Sequence, residues 1–169
     1  MQVSLHKASA ATFQKHLYAL DGILDKAKAY AAAKKIEEET LLSARLFPDM
    51  FNFRRQVQEA CTFATATMAR ITGETPAKPA NDEISFDDLK ARIASDIAVL
   101  GACPAEKLAK AAERVISLKV GPNEMTFTGE DYVLHFALPN FYFHCTTAYA
   151  ILRHNGLEIG KRDFMRRTG

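Results

Sequence analysis

The sequence lacks the short motifs that most readily declare a function. It has no GxxxxGK phosphate loop ending in Ser or Thr, no GxGxxG turn after a strand, no HExxH pair and no GxSxG elbow. Those absences argue against the common nucleotide-binding, zinc-protease and α/β-hydrolase chemistries, and leave open a site assembled from distant residues. Cysteine is scarce. Cys61, Cys103 and Cys145 are odd in number and far apart, without the spacing of a metal knuckle or a redox dithiol. Each sits among apolar residues, so reduced core thiols in a reducing cytoplasm are expected. No apolar run approaches the ~18 residues of a membrane span. Lys7, Gln14, Lys15 and His16 interrupt the stretch from Met1 to Leu20, where a signal peptide needs a continuous apolar segment. Neither sign of charge dominates: 22 Lys and Arg face 20 Asp and Glu, a net charge of +2. That balance gives no pull towards nucleic acid or an anionic membrane. The one basic cluster, Lys161, Arg162, Arg166 and Arg167, lacks interleaved aromatics and reads as a solvated tail.

What is present is an ordinary helical globule. A chain of 169 residues with 48% hydrophobic content is expected to form one domain over 1–169 without help from a metal or disulfide. Phe13, Leu17, Leu20, Leu24, Ala27 and Ala31 recur at helical spacing, which predicts a first helix from about Ser4 to Lys34. Gly22 lies off that stripe and marks where the helix would break if it broke. Ile36 to Leu46 is a connector with room for a helical turn. A second helix is expected after Pro48, with Asp49 as N-cap, the stripe Met50, Phe53, Val57, Cys61, Ala64, Met68 and Ile71, and Gly73 as its stop. Thr75 to Asp82 reads as a surface loop. A third helix opens on a Ser85–Asp88 capping box and buries Phe86, Leu89, Ile93, Ile97 and Leu100, with Gly101 ending it.

From Val115 to Thr128 the period changes to alternation. Ile116, Leu118, Val120, Met125 and Phe127 are interleaved with polar residues around Gly121-Pro122-Asn123-Glu124, which predicts a β-hairpin with a four-residue loop lying against the helices. A last helix is expected from about Thr128 to Asn155-Gly156, apolar nearly all round, with a kink or a break at Pro139. The fold class is therefore all-α, a four-helix bundle with a small hairpin before the last helix.

Histidine spacing limits the chemistry. His6 and His16 are ten residues apart, as are His144 and His154, and His135 and His144 are nine apart. No helix carries a pair at the three- or four-residue spacing that two ligands of one ion need. His144 lies mid-helix in an apolar segment with Asn140 one turn earlier. One reading is a core imidazole bonded to another helix. The other is that the two line a pocket in the bundle. Tyr132, Phe136, Phe141, Tyr142, Phe143 and Tyr149 read as core. Glu37, Glu38 and Glu39 read as a solvated face, and Asp87 and Asp88 as helix-start residues.

Three segments resemble a bacterial family of unknown function: LLSARLFPDMFNFRRQVQEA from Leu41 to Ala60, LKVGPNEMTFTG from Leu118 to Gly129, and PNFYFHCTTAYAILRHNGLEIGKRDF from Pro139 to Phe164. That family looks like a branch of the DinB/YfiT-like superfamily of four-helix bundles. The resemblance implies a fold whose members often bind a divalent metal through one histidine on the second helix and an HxxxH pair on the last, frequently followed by Arg-Gly-Gln. It implies thiol-dependent transferase or hydrolase activity in some members, and dimers in many. Here His144 matches the second histidine of the pair and Asn140 stands at the first. Cys145, Thr146 and Thr147 stand where Arg-Gly-Gln would, and no histidine lies between Asp49 and Glu59. Asn is a poor ligand for transition metals, so no tightly held metal or other cofactor is expected.

Three functional readings follow. The first is a bundle binding a small molecule near Asn140 and His144, with Asn52 and Gln56 facing them from the second helix. The second is a metal-dependent transferase or hydrolase of the superfamily type. The third is a non-enzymatic module acting as a homodimer, for which Phe47, Phe51 and Phe63 lie outside the core stripe.

Overall fold

Four long helices pack side by side in a computed structural model that describes residues 4–108 and 110–165. Arg166 and Arg167 of the terminal basic cluster lie outside the described residues. A π-helical turn, Lys7–Ala11, leads into α1, Thr12–Lys34. The helix runs unbroken through Gly22, because Ala19, Leu20, Ile23 and Leu24 around it are all buried. Their burial outweighs a propensity loss of ~1 kcal/mol. The connector holds a short helix, α2, Glu38–Leu42.

The second long helix is α3, Phe53–Thr72, and its N-cap is Asn52 rather than Asp49. The Asn52 side chain accepts from the Arg55 N–H at 2.9 Å, and the Phe53 N–H is pinned to the Ala44 carbonyl at 2.8 Å. That tie to the preceding loop fixes where the helix can begin, so Met50 stays outside it. Gly73 ends α3 in the left-handed region at φ +87°. α4, Phe86–Gly101, starts on the expected Ser85–Asp88 capping box. The acidic run is only partly a solvated face. Glu38 accepts from the Phe86 N–H at 3.1 Å, and Glu39 pairs with Arg54. Asp87 pairs with Lys28 of α1.

A single turn of 3₁₀ helix, Ala105–Leu108, precedes the hairpin of β1, Val115–Val120, and β2, Asn123–Thr128. Val120 pairs with Asn123, so the loop is the two residues Gly121-Pro122, not four. Gly121 supplies φ +59°, the positive value that the first position of a two-residue II′-type turn needs. Asn123 and Glu124 are thereby free to join the ladder. Ile116 is buried, and Leu118 and Phe127 pack against the core, which holds the hairpin to the bundle.

The last helix starts where Thr128 accepts from the Asp131 N–H at 3.1 Å. It has three parts: α5, Gly129–Asp131; a π segment, Tyr132–Ala137; and α6, Leu138–His154. One segment gives way to the next at Ala137–Leu138, which puts Pro139 in the first turn of α6, and the helical turns continue through it. Proline lacks the N–H for the fourth carbonyl back and its ring crowds that carbonyl; the π turns lie over that stretch. Burial shows the phase slip. Counting back from Phe141 at 3.6 residues per turn, positions 134 and 130 should be buried. Leu134 and Glu130 are exposed, and Tyr132, Val133 and Gly129 are buried instead. After Gly156, at φ +90°, a short α7, Lys161–Phe164, packs on α1 with Lys26 and Asp163 paired at 2.6 Å. Around the bundle α1 neighbours α4, α4 neighbours α3, α3 neighbours α6, and α6 neighbours α1. Among the described residues no helix is long and apolar enough to cross a membrane.

Candidate functional site

The seam between α3 and α6 is the most extensive helix contact of the bundle, and His144 sits on it. Its side chain is buried at 8% exposure, and its Nδ1 lies 2.7 Å from Oε1 of the buried Gln56 on α3. The Gln56 amide nitrogen donates to the Phe51 carbonyl at 3.3 Å, which leaves Oε1 turned to the imidazole. A carbonyl oxygen only accepts, so Nδ1 carries the proton and Nε2 is the bare lone pair. Burial holds the imidazole pKa down to about 4, with the Arg55 charge acting in the same direction, so the ring is neutral at pH 7. Phe63 stacks on it at 5.5 Å and 25°, and Phe143 meets it edge-on at 5.4 Å. Among the described residues the sealed side-chain polar atoms without partners are Arg54 Nε and Asn81 Oδ1. His144 Nε2 has no hydrogen-bond partner among the described residues.

Two of the four residues singled out in the sequence are brought together, and two are not. Gln56 and His144 form the pair just described. Asn52 is occupied as the α3 N-cap. Asn140 donates back to the Phe136 carbonyl of its own helix at 2.7 Å. Both asparagines have short side chains and bond the nearest backbone group before anything across the seam.

The same geometry tests whether the superfamily's metal fits. No His, Cys, Asp or Glu triad converges among the described residues. Gln56 consumes His144 Nδ1, Asn140 is turned onto its own helix, and α3 offers no imidazole. The adjacent Cys145 is buried, and burial holds its thiol far above the ordinary range, as it does for Cys61. Such thiols are inert as ligands or nucleophiles. These residues do not fit a transition-metal centre.

On the far side of Phe63, the ring that stacks on His144, lies a groove of about 370 Å³ that the sequence did not single out; His144 itself does not line it. Glu59, Thr62, Phe63, Ala66 and Arg70 line it from α3. The hairpin tip from Leu118 to Gly121 faces them, and Phe136 joins the aromatic side. The α3 residues form one stripe at helical spacing, adjacent to the core stripe, and Phe63 already stood out as lying off the core. What the sequence did not give was the hairpin's docking position, which turns that stripe into one wall of a cleft.

The family model for a domain of unknown function, DUF1993, matches residues 5–165. A crystal structure of a DinB family member protein from Shewanella denitrificans is similar throughout. It is 40% identical, with a TM-score of 0.91 over 97% of this chain and 93% of that one. No curated protein matches the sequence.

Proposed function

The chain belongs to the DUF1993 family, and from that premise we propose that it is a small-molecule-binding bundle whose site is the α3–α6 face at His144. The observation that carries this reading is the Gln56–His144 hydrogen bond. It fixes one tautomer and one ring orientation, and it leaves a neutral acceptor without a protein partner. Such a group accepts a hydrogen bond from a ligand hydroxyl or amide at a defined point. A pKa of about 4 is far from the value a general base needs at neutral pH, which favours recognition over proton transfer. The rest of the chain serves as one supporting unit over 1–169. The three unpaired cysteines suit a reducing compartment, the cytoplasm.

Imidazole nitrogen NMR at pH 7 is the direct test. His144 should show a protonated Nδ1 and a pyridine-like Nε2, and fragments carrying a hydroxyl or amide N–H should move the Nε2 resonance. A dominant Nε2–H tautomer, or a fragment library that leaves His144 untouched, sinks the reading.

Self-association rests on a separate observation. Leu46, Phe47 and Phe51 are exposed together in the loop between α2 and α3, Phe47 at 63%. Neighbouring exposed apolar side chains of this kind mark association surfaces, and a homodimer would cover them. Phe63 does not belong to that set, because it packs against Phe136 and His144. Light scattering should give the mass of two chains, and Phe47→Glu should return it to one. A single-chain mass for the parent at every concentration rejects the dimer.

A further inference from the structure

The charges that line the groove decide which ligands it suits, given a ligand site at His144 as proposed above that reaches the groove across Phe63. Glu59 is its one carboxylate, and Arg55 already neutralises it at 2.5 Å. Arg70 has no such partner among the described residues. Its Nη1 donates to the Tyr132 hydroxyl at 2.9 Å, and its guanidinium carbon lies 5.8 Å from the centre of that ring. Both contacts are with a neutral group, so the cation is held in place but not neutralised, and most of its N–H donors are unspent. Lys119 is exposed at the hairpin tip and makes no ion pair among the described residues, although Glu124 stands opposite it in the ladder. The groove thus carries one cation, Arg70, with no carboxylate partner among the described residues, and a second, Lys119, whose charge is partly offset by Glu124 across the ladder.

Its apolar surface is equally specific. Phe63 and Phe136 lie 6.2 Å apart, tilted at 53°. Phe136 is fixed in turn by stacking on Tyr132 at 5.7 Å and by Phe127 at 5.6 Å. Four packed rings make a platform that cannot rearrange one ring at a time. A flat ring system can lie against Phe63 and Phe136 at little entropic cost.

We infer that the groove between α3 and the hairpin binds small aromatic anions, the arylcarboxylate class, with the ring on Phe63 and Phe136 and the anionic group at Arg70 and Lys119. Arg70 offers a planar fork that matches a carboxylate; Lys119 adds a point charge from the opposite wall.

Calorimetric titration of the intact protein with 2-naphthoate, with neutral 2-naphthamide and with a cationic naphthylmethylammonium separates shape from charge. The carboxylate should bind about tenfold more tightly than the amide, and the cation more weakly still. Lys119→Gln should weaken naphthoate several-fold and leave the amide unchanged. Arg70→Gln should weaken it further, but it also breaks the Tyr132 bond, so the exposed Lys119 variant keeps the test independent of folding. An amide that binds as tightly as the acid, or a Lys119→Gln variant that weakens both alike, overturns the inference. If the amide also moves the His144 resonances, the ligand site survives and only the anion preference falls. No heat and no shift with any of the three probes removes the arylcarboxylate class, and the fragment experiment then decides the site by itself.

Discussion

Gly129→Ala should destabilise the chain by at least ~3 kcal/mol, a large fraction of the ~5–15 kcal/mol that keeps a typical domain folded. Gly129 is the first residue of α5 and is buried. A Cβ built there would stand 1.8 Å from the Ala111 carbonyl oxygen and 2.9 Å from its carbon. The obstacle is backbone, not a flexible side-chain end, and it is anchored: Ala111 is buried, and the Glu130 N–H donates to the neighbouring Ala112 carbonyl at 3.0 Å. Relief requires separating the start of the last helix from the segment before the hairpin, which opens the core beneath Tyr132. Gly160→Ala is the control. A Cβ there meets nothing within 4 Å, so stability should change by no more than ~0.5 kcal/mol. Urea melts compare the two, and a Gly129→Ala midpoint close to the parent's would show that the close approach does not exist.

The second large effect is in the pH dependence. His144 has a folded pKa of about 4 against an ordinary value of 6.5, so the unfolded chain binds its proton first on acidification. More protons on the unfolded state mean that stability rises with pH. The contribution is complete above pH 6.5 and is lost as the pH falls from there through about 4. The loss from this one group is roughly 3 kcal/mol. His16 adds to the same trend. Its pKa is lowered by burial, against the opposing Thr12 carbonyl contact and with help from Lys15. The measurement is therefore the difference between the parent and His144→Ala, melted at pH 7 and at pH 4.5. At pH 7 the variant should lose ~2–4 kcal/mol, because it leaves a cavity beside Phe63 and strands Gln56 Oε1. At pH 4.5 the gap should narrow. A constant gap across that range contradicts the depressed pKa, and no gap at pH 7 contradicts the structural role of the ring.

Residues whose partners are close in sequence could be read in advance. The Ser85–Asp88 box, the left-handed Gly73 and the alternation of the hairpin strands depend on a few neighbouring positions, and each formed as the pattern dictated. The four-helix frame was legible for the same reason, from stripes at helical spacing. Choices made by tertiary contact were not. Asp49 and Asn52 are equally good caps by type, and the Phe53–Ala44 hydrogen bond chose between them. The two-residue hairpin loop needed the register. In the site, a bond from His144 to another helix was legible from its apolar surroundings. That Asn140 would turn back on its own helix was not. The Glu83–Arg92–Asp96 ion-pair chain, with Gln58 on Glu83, joins α3, the preceding loop and α4, and no local pattern announces it.

The π segment from Tyr132 to Ala137 makes the last helix behave like two shafts joined by a keyed coupling. Gly129, seated against the Ala111 carbonyl, sets the angular position of one shaft, and Gln56, through His144, sets that of the other. The key is one residue, about 100° of rotation, so the offset cannot be trimmed by small torsions. It is either held or lost by a whole tooth. Phe136 lies on the coupling itself, which ties the tilt of the aromatic platform and the aim of the His144 lone pair to a single count of residues.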